Sequence, residues 1–262
     1  YFYLNNPKDK TIKLSYLNKN NDTIKSFSTE NKKEDKLEVN KGANLHTWGL
    51  QGKGAERLAG MILWWASTEA PQAVPGDYKV VLEVEDEVYT KPFKILPDKN
   101  AETDQAGMQK QFDFISDVNS TVDKAHKSIK KIRNINGQLK SFQEQYKNNE
   151  NVTDLVEKAK NLSEELSKIE NELYQTKNRS GQDPLNFPIK LTNKLAHLNS
   201  LVGMDDFPPT QQDIAVKNEL TTKINVQLDK FDQILSEEIT EFNKQFNAKN
   251  LNYLFIEEVE SK

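Results

Sequence analysis

Forty carboxylates, three histidines and three tryptophans are the side chains with chemistry to offer in this sequence of 262 residues. Their spacing decides what that chemistry is. Two convergent carboxylates can act as the acid and base of a hydrolase, and the densest acidic groups are Glu164, Glu165 and Glu170 and then Glu237, Glu238 and Glu241. Both sets fall on helical patterns and lack the Glu-x-x-His step with which helical bundles hold a di-metal centre, so they are expected to form exposed acidic faces. His46, His126 and His197 are scattered. His46 has no metal-ligand partner at a suitable spacing, while His126 and His197 lie on predicted helices and can face one another or pack half-buried. With no cysteine, disulfides, thiolate metal sites and thiol nucleophiles are excluded together. No phosphate-binding loop, dinucleotide-binding glycine pattern, His-Glu-x-x-His or Gly-x-Ser-x-Gly is present. No catalytic, cofactor or metal-ligating set is therefore expected.

The tryptophans are Trp48, Trp64 and Trp65. Aromatic rings can cover the apolar face of a sugar, but they more often fill a core. Trp48 is expected in a core strand over residues 44–50. Trp64 and Trp65, as neighbours on a strand, would face opposite ways, leaving one of them for a domain or partner contact. Asp183, Asn186 and Asn193 sit near prolines, where such residues form turns and caps.

The elements that must position these groups divide at about residue 98. Residues 180–212 contain Pro184, Pro188, Pro208 and Pro209, which cannot lie inside helices and so fix where helices begin and end. Ahead of that corner, apolar residues from Met108 to Tyr146 recur every three or four positions and predict one helix of about 60 Å. Gly137 predicts a kink, a close crossing or a fray within it. A second helix spans about 152–173, and a third about 188–202 with Gly203 as a left-handed cap. A fourth opens where Thr210 and Asp213 have capping-box spacing and runs to about 247. Residues 1–98 read instead as short strands: a hairpin of 11–17 and 23–29 around an Asn-rich turn, a turn at Pro75 and Gly76, and alternating strands over 78–84 and 88–95. The expected fold is α+β, with an immunoglobulin or fibronectin type III-like antiparallel β-sandwich over residues 1–98 and an antiparallel up-down bundle of about four helices over 99–262. Residues 251–259, Leu-Asn-Tyr-Leu-Phe-Ile-Glu-Glu-Val, fit either a strand returning to the sandwich or a tail bound to the bundle.

Thirty-six basic residues against forty acidic ones give a net charge of -4, with both signs dispersed, which disfavours a nucleic-acid partner. No stretch approaches the eighteen or more apolar residues of a membrane span. The first residue is Tyr rather than Met, the expectation for a carboxy-terminal piece of a longer product.

The wording of the proline corner, DPLNFPIKLTNKLAHLNSLVG followed by PPTQQ, resembles the carboxy-terminal helical region of large exported Bacteroidota proteins with sortilin-like (VPS10-type) BNR or Asp-box β-propellers. The segments GANLHTWGL, MILWW and PGDYKVVLEVEDEVYTKPFKILPD are similar to the FlgD-like or fibronectin-like module after the propeller in that family. The likeness covers essentially the whole chain. The propeller is often labelled glycosyl hydrolase or sialidase-like, but no Asp-box repeat is present here, and Asn44 to Gly49 depart from the family's usual wording. No catalytic residue is carried over.

The resemblance implies export to the periplasm or cell surface and a non-catalytic scaffold or interaction module. Its partners would be an upstream β-propeller of the same protein or another cell-envelope protein, with Trp64 and Trp65 as contact residues. The alternatives are an accessory part of a glycosidase-like or peptidase hydrolase whose catalytic residues lie upstream, and a dimerisation module. Asp22, Thr23 and Ile24 match an Asp-Ser/Thr-apolar pattern resembling the Bacteroidota O-glycosylation signal, which places a modification at Thr23.

Overall fold

The computed structural model describes residues 1–251. It is mixed α/β, with two antiparallel sheets and four helical stretches among those residues. The chain groups into two compact units. Tyr1–Ala55, Thr68–Asn119 and Asn199–Asp213 form the first; Glu56–Ser67, Ser120–Leu198 and the chain from Ile214 form the second.

The first unit holds six strands: β1 (Phe2–Leu4), β2 (Ile12–Leu17), β3 (Thr23–Ser28), β4 (Gly42–Asn44), β5 (Gly76–Val84) and β6 (Glu87–Ile95). β1 pairs with β4, and a four-stranded sheet runs β3-β2-β5-β6. The expected hairpin forms as β2 and β3, with Leu14 opposite Phe27. Its turn is closed by Asn18, whose Oδ1 accepts from the N–H groups of Asn20 and Asp22 at 2.9 Å each, while Asn21 takes the left-handed backbone that asparagine tolerates. Period-two alternation turns Ile12 and Leu14 inward, and together with Leu4, Phe27 and Leu37 they make a core shared by both sheets. Val80, Leu82 and Val84 of β5 pack against it. Pro75 is a bend, and Gly76, without a positive φ, already belongs to β5, so the expected turn at this pair does not form.

The helices are α1 (Gln105–Tyr146), α2 (Thr153–Leu173), α3 (Leu191–Val202), α4 (Gln211–Gln233) and α5 (Thr240–Ala248), with α4 and α5 joined through a π-helical segment, Ile234–Ile239, into one continuous stretch. The predicted stripe of α1 is real: Val118, Val122, Ala125, Ile129 and Ile132 are fully buried. Leu155, Ala159, Leu162, Leu166 and Leu173 do the same for α2. The capping box is also made, Asp213 Oδ2 accepting from the Thr210 N–H at 2.8 Å and Thr210 Oγ1 from the Asp213 N–H at 3.2 Å.

Several local expectations need correction. Leu201 of α3 is exposed although it sits three residues after buried Leu198, at the spacing of an inward stripe. Gly203 is not left-handed; a Cβ there would come within 2.7 Å of the Asn199 carbonyl oxygen, so close backbone approach is what requires glycine. Gly137 makes no close crossing, because α1 runs unbroken through it and a Cβ would meet nothing within 4 Å. Gly137→Ala is therefore expected to stabilise the protein by about 0.5–1 kcal/mol, through helix propensity and a less flexible unfolded chain, as read from urea unfolding midpoints.

Among the described residues no helix is long and apolar enough to cross a membrane. The segment at residues 251–259 lies, beyond Leu251, outside the described residues.

Candidate functional site

Residues Glu56–Ser67 form no helix or strand, and they belong to the second unit although β4 and β5 on either side belong to the first. A segment without its own ladder must satisfy its backbone groups elsewhere. Side chains from three helices do this. From α1, Asp123 Oδ1 accepts from the Glu56 N–H at 3.0 Å, His126 Nδ1 donates to the Glu56 carbonyl at 2.6 Å, and Lys130 Nζ lies 2.5 Å from Glu56 Oε1. At the end of α2, the Tyr174 hydroxyl accepts from the Ile62 N–H at 3.0 Å. From α3, Asn193 grips Trp64 twice, its Oδ1 accepting from the N–H at 2.7 Å and its Nδ2 donating to the carbonyl at 2.9 Å. His197 Nδ1 bonds the Trp65 carbonyl, and the Ala196 carbonyl accepts from the Ser67 N–H at 3.3 Å.

The helical repeat explains why α3 can hold so short a span. Asn193, Ala196 and His197 are related by three and four positions and so share one face. The helix is fixed in turn by buried Thr192, whose Oγ1 donates to the Leu173 carbonyl at 2.8 Å. Tyr174 is steadied by Arg133, whose guanidinium lies 5.6 Å from its ring centroid while Nε donates to Glu170 Oε1 at 2.7 Å.

The clamp holds a tryptophan in water. Trp64 is half-buried, but Trp65 is 72% exposed and its backbone is left-handed, with φ at 52°. That conformation is costly for a bulky L-residue and persists only where surrounding contacts impose it. The two indoles are tilted by 56° with centroids 6.5 Å apart. Neither tryptophan lies on a strand, contrary to expectation; the alternation argument fails here, and the outward direction of Trp65 follows from the clamped backbone instead.

His126 is fully buried. Because the Glu56 carbonyl can only accept, Nδ1 carries the hydrogen, and Nε2 is left buried without a partner. Burial pushes the imidazole below its ordinary pKa, outweighing the hydrogen bond to Glu56 and the nearby Asp123 and Glu56 carboxylates. His126 and His197 do not face each other. Each uses a ring nitrogen to hold a carbonyl of the loop, which makes both positioning groups.

The other candidate residues separate. Trp48 packs against the sheet core, stacked on Tyr16 with centroids 4.4 Å apart, and its Nε1 donates to the Gln51 carbonyl at 2.8 Å, though it lies just outside β4 rather than in a strand. His46 stacks on Tyr16, and burial lowers its pKa. Asp183 accepts from the Arg179 and Ser180 N–H groups at 2.5 and 2.9 Å, which holds its carboxyl below the usual range and makes it a turn former; Asn186 donates back to its carbonyl. Glu170 departs from the exposed acidic face: it is buried and paired with Arg133. Glu238 is half-buried, its pKa raised by burial and then by Glu165. Thr23 is exposed at the first residue of β3. In the first unit, a cavity of about 730 Å³ borders β1 and β6, lined by apolar and aromatic residues together with Asn5, Asn6, Lys10, His46, Glu87 and Lys91. Among the described residues no group of three or more His, Asp or Glu is placed to hold a metal ion.

Sequence reasoning marks Asn193, His126 and His197 singly but misses their common target. The available signal is the pair of hydrogen-bonding side chains at positions 193 and 197, one helical turn apart on the short helix α3. In comparisons with known proteins, no family model matches this chain, and no curated protein or solved structure matches it.

Proposed function

We propose that this chain is a non-catalytic scaffold and interaction module of an exported sortilin-like β-propeller protein, and that Trp65 is its principal contact residue. The observation that carries the reading is the clamp itself: seven hydrogen bonds from α1, Tyr174 and α3 serve a segment whose outermost side chain is an indole in solvent. Exposed aromatic side chains on fixed backbone bind with little loss of conformational freedom, and tryptophan is among the commonest interface anchors.

The finer architecture is proposed with it. The sheet order β3-β2-β5-β6 with β1 paired to β4 has the pattern of strands C′-C-F-G and B-E of an immunoglobulin-type sandwich, in the same chain order. Tyr78, near the start of β5, donates from its hydroxyl to the Val74 carbonyl at 2.5 Å, as the tyrosine corner of such domains does before strand F. For the helices, the pairs Arg133 with Glu170 and Asn136 with Ser167 descend along one helix as they ascend the other, which supports an antiparallel α1 and α2. Contact of Thr192 with Leu173 supports α3 continuing the leg that α2 begins.

The test is photo-crosslinking in the native host, with benzoylphenylalanine placed at Trp65 or, as a control, at exposed Val226 of α4. A discrete adduct at 65, within the parent or to one envelope protein, and none at 226 is the expected outcome. Equal, diffuse labelling at both positions would contradict the proposal.

A further inference from the structure

We propose that His126 is an acid-operated latch on the clamped loop: taking up a proton, it releases the Glu56 end of residues 56–67 while the helices around it stay folded. The consequence for function, a contact loop held firm at neutral pH and slackened in acid, rests on the reading of Trp65 as the contact residue. The opening itself does not.

The ring has no means of accepting a second hydrogen where it lies. It is fully buried, its Nδ1 donates to the Glu56 carbonyl at 2.6 Å, and its Nε2 has no acceptor among the described residues. A buried charge must be answered by a neighbour or carried out to water. The charged groups near the ring are Glu56 from the loop and Asp123 and Arg133 from α1, with Glu170 of α2 engaged by Arg133, whose Nε donates to its Oε1 at 2.7 Å. Both near carboxylates already serve other cations. Glu56 Oε1 lies 2.5 Å from Lys130 Nζ, while Asp123 gives Oδ1 to the Glu56 N–H at 3.0 Å and Oδ2 to Lys127 Nζ at 2.6 Å. Arg133 repels an imidazolium. Burial outweighs these neighbours and sets the sign: the closed loop binds this proton less readily than an opened one, so falling pH favours opening.

The loop is the part that yields. α1 and α2 keep their own backbone ladders and buried stripes, whereas residues 56–67 have no helix or strand and are tied down point by point. Swinging the ring to water breaks its bond to the Glu56 carbonyl but leaves Ile62 on Tyr174 and Trp64 on Asn193. The loop thus slackens from one end. At the other end His197 also puts an ionisable ring on the loop, at the Trp65 carbonyl, so His126 is identified by difference.

Hydrogen exchange of the full chain, expressed as protection factors at about pH 7.5 and about pH 5.5, tests the opening without any partner, whereas crosslinking at 65 tests the contact. Protection of residues 56–67 is expected to fall with pH in the natural sequence, to at least about tenfold below that of α2, and to hold nearly constant in His126→Gln, which keeps a donor for the Glu56 carbonyl. His197→Gln is expected to retain the fall, and it carries the test if His126→Gln impairs folding. Equal falls in the natural sequence and His126→Gln, loss of the fall in His197→Gln, or loop protection equal to that of α2 at both pH values would overturn the proposal.

Discussion

Asn193→Leu will destabilise the protein by about 2–4 kcal/mol, because it strips the Trp64 N–H and carbonyl of their partners in one step. The side chains are similar in size, so the loss is one of polar satisfaction rather than volume. Asn193 is buried while Trp64 is half-buried, so water can reach part of the damage, which sets the estimate below the sum of two fully buried orphans. The near-ultraviolet circular dichroism of the tryptophans should weaken at the same time, since Trp64 and Trp65 lose their fixed geometry. Urea unfolding of the two proteins checks the number. A loss under about 0.5 kcal/mol would mean that the loop is held by something other than Asn193.

The second large effect is a dependence on acid that traces to His126. Its folded pKa lies below the ordinary value of 6.5, so between the two values the unfolded chain binds more protons than the folded one. Stability from this group is therefore complete above about pH 6.5 and is lost as the pH falls toward the folded pKa. Within that window the slope is positive and at most about 1.4 kcal/mol per pH unit for a single group. The structural reason is plain. Protonation adds a hydrogen to Nε2, which has no acceptor, and places a charge in a fully buried site where Arg133 opposes it and Asp123 and Glu56 offset it only in part. His46 shifts in the same direction, so the clean measurement is a difference. Between about pH 7.5 and about pH 5.5, the unfolding free energy should fall further in the natural sequence than in His126→Gln, which keeps a donor for the Glu56 carbonyl but does not titrate. Parallel losses in the two proteins would remove His126 as the cause.

These two residues also show where the sequence is legible and where it is not. The stripe of α1, the Thr210 and Asp213 box and the Asn18 turn are set by neighbours within a few positions, so spacing alone reveals them. Residues 45–75 offer no such handle. Apart from a bridge between Gln51 and Gln72 they form no ladder, and between Glu56 and Ser67 the backbone is bonded largely by groups 67 to 132 positions away, beside one local bond from Met61 N–H to the Leu58 carbonyl. No periodicity encodes a partner at that distance, which is why local pattern alone puts Trp64 and Trp65 on a strand. Glu170 misleads for a related reason: its neighbours on α2 mark an acidic face, whereas its fate is decided by Arg133 on another helix. The strand alternation over β2 and β5 is legible, and so is the assignment of Trp48 to packing, since its ring contacts and hydrogen bond lie within one cluster.

Trp65, in the function proposed above, is held for contact rather than for stability. Once crosslinking has supplied a partner, Trp65→Ala separates the two roles in one comparison. Truncating an exposed indole that fills no core should leave the unfolding free energy within about 0.5 kcal/mol, while loss of an interface anchor should weaken the dissociation constant by about tenfold or more. A dissociation constant that does not move, or a stability loss of about 2 kcal/mol or more, would contradict it.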